Sequence, residues 1–278
     1  MTKLTQEQIF FMDNHFNNKV IWITGASSGI GEALAYAFSF REAKLILSSR
    51  RYDELERVKQ TCRAPENVQI LLLDLSDIPS LEGKTTEAIA CFGQIDIMVH
   101  NGGISQRSLV IETNLDVHRR VMELDYFSYV VITKALLPHF TERKAGHFVV
   151  TSSIMGKIGT PMRSAYAAAK HALHGFFDCL RAEVSADNIK VTILTPGYIR
   201  TNISLHALTK DGAKLGIRSE KIANGLTPGR AAVQILNAIK KGSFESYIGK
   251  FSAEKIVLWL NRFAPNMVIK RAAKFAPK

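Results

Sequence analysis

Short apolar runs alternate with helix-like stretches along most of the chain. The runs that predict buried strands are Lys19–Thr24, Lys44–Ser49, Val68–Asp74, Ile95–His100, Gly146–Thr151 and Ile189–Leu194. Helix-like stretches lie between them, for example Glu32–Phe38 and Ser80–Phe92. This alternation predicts a parallel sheet with right-handed crossovers. We therefore expect an α/β fold, a doubly wound parallel sheet of about seven strands with helices on both faces.

A glycine-rich loop follows the first predicted strand. Thr24–Gly31 has the spacing G-x-x-x-G-x-G and leads directly into a predicted helix. Glycines allow a tight turn and a close approach of the backbone to a pyrophosphate, and a helix N-terminus offers free N–H groups to it. We predict a dinucleotide site here, and a plain tight strand–helix turn is the alternative. The predicted contacts are Gly25, Ser27, Ser28, Gly29, Ile30 and Gly31.

The end of the second predicted strand indicates which dinucleotide is bound. A site that prefers NAD usually has an acid at this point for the ribose hydroxyls. This chain has Arg50 and Arg51 instead. Guanidinium groups suit a 2′-phosphate through charge-assisted bonds, so we predict NADP(H); two solvated arginines are the alternative. Asp74 and Leu75, at the end of the third predicted strand, are expected to meet the adenine.

Three residues in the second half of the chain suggest proton transfer. Ser164–Leu173 is rich in alanine and predicts a helix, on which Tyr166 and Lys170 share one face. Ser153 follows a predicted strand and can face that helix. A cation beside a phenol favours phenolate, and a serine hydroxyl can hold a substrate oxygen. The alternative is a chance Tyr–Lys pair on an ordinary helix, and the motifs at the other strand ends argue against it.

These motifs together resemble the classical short-chain dehydrogenases/reductases over roughly residues 19–248. Asn101, Gly102 and Gly103 are similar to the Asn-Asn-Ala-Gly strand end of that family, with His100 in place of its first Asn. Gly103–Ser108 and Thr133–Pro138 are most similar to the family's membrane-associated "member 7" group. The family segment that contacts the nicotinamide corresponds to Pro196, Gly197, Ile199 and Thr201.

The resemblance implies a Rossmann-type domain and a direct hydride transfer between NADP(H) and a carbonyl or secondary alcohol. Tyr166 would give or take the proton, Ser153 would steady the oxygen, and Lys170 would support the tyrosine and bind the nicotinamide ribose. By analogy the substrate is apolar, of steroid, retinoid, lipid or xenobiotic type. A homodimer or homotetramer is implied in the same way.

One position departs from the family pattern. Asp125 occupies the place of an asparagine that is the fourth catalytic member of the family. An ionised aspartate accepts hydrogen bonds but cannot donate them, and it can pair with Lys170. The competing function is therefore an NADP-binding regulatory or scaffold protein with impaired turnover.

The chain is expected to divide into three parts: an N-terminal extension (1–18), a catalytic domain (19–249) with a substrate lid at about 198–227, and a basic amphipathic tail (250–278). In the tail, Ile256, Trp259, Leu260 and Phe263 share one helical face, and Pro265 should end the helix. Two interpretations remain open, packing on the domain or a partner subunit and peripheral contact with an anionic membrane.

Composition narrows the function classes further. The net charge is +11, but no nucleic-acid recognition motif accompanies it, so we expect no nucleic-acid partner. Three widely spaced cysteines and the lack of an apolar run long enough for a signal peptide or a membrane span suggest a cytoplasmic protein. His171 and His174 have no third ligand at a suitable spacing, so no metal site is expected.

Overall fold

Seven parallel strands form the centre of the structure, a computed structural model that describes residues 14–250 and 253–274. The strands are β1 (Val20–Thr24), β2 (Lys44–Ser49), β3 (Val68–Leu72), β4 (Ile97–His100), β5 (Gly146–Thr151), β6 (Ile189–Pro196) and β7 (Glu245–Ile248). Their order in the sheet is β3-β2-β1-β4-β5-β6-β7, and every neighbouring pair is parallel. The predicted doubly wound Rossmann-type fold is confirmed, with its topological switch between β1 and β4.

Helices cover both faces of this sheet. They are α1 (Gly29–Ser39), α2 (Tyr52–Thr61), α3 (Leu81–Phe92), α4 (Leu115–Met122), α5 (Ser128–Arg143), α6 (Ser164–Glu183), α7 (Glu220–Ala223), α8 (Pro228–Lys241), α9 (Ala253–Phe263) and α10 (Pro265–Ala273). Apolar residues of α1, α2 and α8 pack on one face, and those of α3, α5 and α6 pack on the other. All of β1 is buried, because a central parallel strand meets a helix layer on each side.

Two strands, β3 and β4, are shorter by two residues than their apolar runs predict. β3 ends at Leu72 instead of Asp74, whose carboxylate accepts hydrogen bonds from the backbone N–H (2.9 Å) and hydroxyl (2.7 Å) of Ser76. Such side-chain bonds to nearby backbone favour a turn over a continued strand. β4 begins at Ile97 instead of Ile95. The turn keeps Asp74 at the carboxyl edge of the sheet.

A π-helical turn, Glu123–Phe127, joins α4 to α5. Such turns insert an extra residue into a helix and often occur at functional sites. Here the turn carries Asp125 on its buried side, where its carboxylate Oδ1 accepts a hydrogen bond from the Ile104 N–H (2.7 Å). The chain after β4 and the α4–α5 segment are thereby fixed to each other.

Residues 198–227, the predicted lid, follow β6 and contain α7. Bridges between Ile199 and Leu226 and between Gln106 and Leu208 tie this segment to itself and to the loop after β4. It therefore lies against the carboxyl edge of the sheet.

The C-terminal part consists of two consecutive helices. The first ends at Phe263 and Pro265 begins the second, as the proline predicts. α9 is held at both ends: Tyr247 donates a hydrogen bond to Glu254 (2.7 Å), and the Asn261 side-chain amide donates to the Lys157 carbonyl (3.0 Å). Within residues 14–250 and 253–274, no helix is long and apolar enough to span a membrane. Most of the predicted N-terminal extension, residues 1–13, lies outside the described residues, as do positions 251–252 and 275–278 of the tail.

Candidate functional site

A cleft of about 540 Å³ opens at the carboxyl ends of the strands. The predicted site residues that line it are Asp125, Ser153, Tyr166 and Lys170, together with Gly25, Ser27, Ser28, Gly29, Ile30, Arg50, Arg51, Asp74, Leu75, Asn101, Gly102, Gly103, Pro196, Gly197, Ile199 and Thr201. The ends of β1 to β6, the start of α6 and the turn before α5 bring these residues together, although they are dispersed along the chain.

The glycine loop packs directly against the end of β4. Gly25 and Gly29 have φ of +65° and +62°, a region that favours glycine. A Cβ at Gly25 would lie 2.7 Å from the Gly102 Cα, so the two segments require glycine where they meet. Gly31 does not line the cleft; a Cβ there would collide with the Gly25 carbonyl oxygen. Gly31 therefore allows close packing beneath the loop and does not face the cleft.

Thr24, which we did not single out, links this loop to β4. Its hydroxyl accepts hydrogen bonds from the backbone N–H groups of Asn101 (3.0 Å) and Gly102 (3.2 Å). The Asn101 side-chain amide donates in return to the Thr24 carbonyl (3.1 Å). These hydrogen bonds hold the glycine loop against the end of β4 at the topological switch point.

The far end of the cleft is basic. Arg51 donates a hydrogen bond to the Ser27 hydroxyl (2.9 Å), which fixes its guanidinium beside the loop. The Arg50 side chain is 59% exposed and lies 3.9 Å from the Asp74 carboxylate, so it is free to turn towards a ligand. Burial raises the pKa of Asp74, but the hydrogen bonds from Ser76 and the charge of Arg50 outweigh it and leave that pKa below its ordinary value. Asp74 therefore stays ionised.

At the other end, Lys170 is buried between a carboxylate and a phenol. Its Nζ lies 3.2 Å from Asp125 Oδ2, donates a hydrogen bond to the Thr151 carbonyl (3.1 Å), and lies 5.7 Å from the centre of the Tyr166 ring. The Ser153 hydroxyl oxygen accepts a hydrogen bond from the Met155 N–H (3.1 Å). That bond uses one lone pair and leaves the hydroxyl proton available to a ligand.

Burial and charge act in opposite directions on the Asp125–Lys170 pair. Burial raises the pKa of the Asp125 carboxyl above its ordinary value, and the Lys170 ammonium and Ile104 N–H only partly oppose it. Burial lowers the pKa of Lys170, but the adjacent Asp125 carboxylate outweighs it and leaves that pKa raised. The lysine therefore stays charged across the physiological pH range.

The two histidines of α6 have structural partners. The His174 ring shares a hydrogen bond with the Ser152 hydroxyl (3.0 Å), and the same hydroxyl donates to the Lys170 carbonyl (3.1 Å). Burial lowers the pKa of His174 to about 4, so it is neutral at physiological pH. His171 bonds the Ala167 carbonyl (2.8 Å). Among the residues that the structure describes, no group of three or more His, Cys, Asp or Glu side chains could hold a metal ion.

Arg163 is a further cleft residue that the sequence did not single out. It lies immediately before α6, and its Nη1 donates hydrogen bonds to the Ser105 hydroxyl (2.7 Å) and the Gln106 carbonyl (3.2 Å). No local pattern marks it, because those partners are more than 50 positions away in the chain. Tyr198, Met155 and His206 also line the cleft without having been predicted.

A second cavity of about 1110 Å³ lies on the other side of the glycine loop, between α1, α2 and the start of α8. Its polar groups are largely paired with each other: Glu32 accepts hydrogen bonds from Tyr36 (2.8 Å) and Arg57 (2.7 Å). Although it is larger, it contains none of the four predicted catalytic residues. The smaller cleft is therefore the candidate active site.

A doubly wound sheet with a glycine loop at its switch point and a Ser–Tyr–Lys group in the same cleft defines a nucleotide-dependent oxidoreductase class. The family model "short chain dehydrogenase" matches residues 19–212. The chain belongs to the short-chain dehydrogenase family of oxidoreductases, as its motifs predicted.

Similar proteins include members of the predicted "member 7" group. A "Dehydrogenase/reductase SDR family protein 7-like" of Anopheles gambiae is 45% identical over 270 residues, covering 94% of this chain and 85% of that protein. "Dehydrogenase/reductase SDR family member 7B" of Bos taurus is 42% identical over 275 residues, covering 96% and 84%.

Solved structures agree with the fold. A short-chain dehydrogenase from Streptomyces avermitilis superimposes with a TM-score of 0.79 and 28% identity, over 93% of this chain and 98% of that one. A Burkholderia phymatum short-chain dehydrogenase/reductase in complex with NAD gives a TM-score of 0.80 at 21% identity, covering 91% and 95%.

Proposed function

We propose that this protein is an NADP(H)-dependent oxidoreductase that moves a hydride between the nicotinamide and a carbonyl or secondary alcohol. The observation that carries the proposal is the burial of Lys170 beside Tyr166 in the cleft that also contains the glycine loop. Neither side chain belongs to the two large apolar clusters that form the core of the protein.

The residues of the cleft fit a dinucleotide. Gly25 and Gly29 line the cleft and allow the loop to turn tightly, and α1 begins at Gly29, so the N–H groups of its first turn lie beside the cleft. We assign the pyrophosphate to this loop and the nicotinamide end to Asn101, Lys170 and the segment from Pro196 to Thr201. When bound, the nicotinamide supplies or accepts the hydride.

The remaining chemistry is assigned to side chains of this chain. The Ser153 hydroxyl donates a hydrogen bond to the substrate oxygen and holds that oxygen near Tyr166. The Tyr166 hydroxyl gives its proton to a developing alkoxide, and in the reverse direction the Tyr166 phenolate takes the proton from an alcohol. The charged Lys170 stabilises the phenolate that is left, and it is itself held by Asp125 and the Thr151 carbonyl.

The preference for NADP(H) rests on Arg50 and Arg51. Both line the cleft at the end of β2, and no acid stands at those two positions. Two cations there favour a 2′-phosphate, whose charge at neutral pH is close to −2.

The substrate class is proposed from the wall of the cleft opposite the cofactor loop. Met155, Leu208, Ile222 and the ring of Tyr198 contribute apolar surface at the Tyr166 end. An apolar steroid, retinoid, lipid or xenobiotic carbonyl would bury that surface.

The direct test is NADPH-dependent reduction of a panel of such carbonyl compounds, with Tyr166→Phe as the inactive variant. Phenylalanine keeps the ring and removes only the hydroxyl, so turnover should fall at least ~100-fold while NADPH binding remains. Tyr52→Phe is the matched control, because Tyr52 is 53% exposed and lies outside the cleft. Equal turnover of Tyr166→Phe and wild type would contradict the proposed role.

A second candidate function is an NADP-binding regulatory or scaffold protein. The observation in its favour is the buried Asp125–Lys170 ion pair, which draws the lysine charge away from Tyr166. Tight NADPH binding without turnover of any carbonyl in the panel would favour this alternative.

We also propose that α9 and α10 contact an anionic membrane surface. Ile256, Trp259 and Phe263 are 52%, 63% and 68% exposed, which is unusual for such large apolar side chains. Residues 253–274 contain five Lys or Arg and one acid, Glu254. An apolar face flanked by basic residues suits anionic lipid, and the competing occupant is a partner subunit of a homodimer or homotetramer.

A further inference from the structure

Arg163 is a cation at the substrate end of the cleft that has no acidic partner. Within residues 14–250 and 253–274, no carboxylate lies within ion-pair distance of its guanidinium. Lys170 and Arg50, by contrast, each have a carboxylate within 4.0 Å. Removing a charge from water without a counter-ion costs free energy, so a protein seldom keeps one unless something else compensates.

The electrostatic surroundings of Arg163 make this cost larger. Burial lowers the pKa of Arg163, the nearby Arg107 lowers it further, and the phenols of Tyr166 and Tyr198 act in the other direction. These two tyrosines also line the cleft, so the guanidinium lies close to the position where a substrate would react. An anion bound there would supply the missing counter-charge.

The orientation of the guanidinium is fixed in a way that suits a ligand. Nη1 is anchored by the Ser105 hydroxyl and the Gln106 carbonyl, whereas Nη2 and Nε donate to no protein atom of the described chain. Both of these nitrogens keep some exposure to solvent, and Arg163 is one of the residues that line the cleft. A planar fork with one end anchored can bind carboxylate or phosphate with little loss of side-chain entropy.

We propose that Arg163 binds an anionic group of the substrate, a carboxylate or a phosphate. This inference rests on the proposed function and narrows it, from an apolar carbonyl compound to one with an apolar body and a single acidic group. Arg163 precedes Tyr166 by three residues, so the acidic group lies about one helical turn from the reacting oxygen. The apolar body then extends along the wall that Met155 and Leu208 form.

The test measures binding, so that it does not depend on finding the physiological substrate. Octanoate, octyl phosphate and octanamide are titrated by calorimetry into the NADP⁺-saturated full-length protein. In wild type, at least one of the two anions should bind about 10-fold or more tightly than the neutral amide. A stronger preference for octyl phosphate identifies a phosphate ester as the group bound, and one for octanoate identifies a carboxylate.

Arg163→Met should abolish the preference for the anion, and Arg163→Lys should keep part of it. Arg107→Met is the matched control: Arg107 is a neighbouring cation that does not line the cleft, so most of the preference should remain. Thermal unfolding of Arg163→Met checks that the loss is not due to misfolding, and Arg163→Lys gives a second reading if that variant is unstable.

Equal affinity of wild type for the acids and the amide, including no measurable binding of all three, would overturn the inference. So would an anion preference that Arg163→Met retains. NADP⁺ binding is measured separately on the same samples, and its absence in wild type would contradict the proposed function instead of the role of Arg163.

Discussion

Asp125→Asn tests how the buried ion pair controls activity. Asp125 and Lys170 are 0% and 4% exposed, and their charged atoms lie 3.2 Å apart. At an effective dielectric constant of about 20, unit charges at that distance attract by about 5 kcal/mol. The variant no longer buries a carboxylate, which offsets part of this loss. We expect the free energy of unfolding to fall by about 3 kcal/mol, which is the lower end of the range for buried ion pairs that lose one partner.

The expected effect on turnover has the opposite sign. Asparagine can still accept the Ile104 N–H bond through its oxygen, so the position of the π turn is kept. Without the carboxylate, the Lys170 charge acts uncompensated on the phenol whose ring lies 5.7 Å away. That favours the phenolate needed to take a proton from an alcohol, so turnover should be maintained or raised.

The assay compares NADP⁺-dependent alcohol oxidation by wild type and Asp125→Asn from neutral to mildly alkaline pH, with urea unfolding of the same samples. Asp96→Asn is the matched control, since Asp96 is 10% exposed and paired with Arg143 (2.8 Å) at the opposite end of β4. It should lose stability without a gain in turnover. A folded Asp125→Asn variant that binds NADP⁺ but has no activity would refute our reasoning. Activity that appears only in the variant would support the regulatory function for the natural chain.

Three further predictions concern other parts of the molecule. Arg50→Ala should weaken NADPH binding about 10-fold and leave NADH binding unchanged by calorimetry, and equal losses would contradict NADP(H) selectivity. Burial lowers the pKa of His100 to about 3, below its unfolded value of about 6.5, so the folded state binds fewer protons between those values. The contribution of His100 to the free energy of unfolding is therefore complete above pH ~6.5 and falls by about 1.4 kcal/mol per pH unit as the pH drops towards 3. Urea unfolding of wild type and His100→Asn at several pH values would measure this fall. The double variant Trp259→Ser/Phe263→Ser should no longer float with anionic liposomes. Ile111→Ser is the control, because Ile111 is 93% exposed but lies outside α9 and α10, and it should float like wild type. Flotation unchanged by the double substitution would exclude this surface, and a shift from oligomer to monomer would identify a partner subunit as its occupant.

Much of the fold could be predicted because β1, β2, β4, β5 and β6 are largely buried central strands, each built around a mainly apolar run. β7 could not be located in this way. Only Ile248 of its four residues is buried, and it lies at the edge of the sheet, where one side of the strand has no partner. An edge strand such as β7 therefore has a weaker hydrophobic pattern than the central strands of the same sheet.

The site was predictable where a short motif fixes it and not where tertiary contacts do. The glycine loop and the Tyr166–Lys170 spacing are local, so they stand out in the sequence. The π turn that buries Asp125 has no local signature in the sequence, and the N–H group that its carboxylate accepts from belongs to Ile104, 21 positions away. The bond between Arg163 and Ser105 likewise joins distant segments, and no spacing rule would have found it.

The position of α9 has a consequence for biosynthesis. Its two anchors, Tyr247 and Lys157, belong to the segments that flank the substrate end of the cleft, and Gly197 lies so close to Glu254 that a Cβ there would collide with the carboxylate. The glycine loop, Arg50, Asp74 and Asn101, at the proposed adenosine and pyrophosphate end of the cleft, are all encoded in the first 101 residues. The contacts of α9 with Tyr247 and Lys157 form only when residues 253–263 emerge from the ribosome. During synthesis, the residues proposed to bind that end of the cofactor should therefore be exposed well before the helix that supports the segments around Lys157 and Gly197.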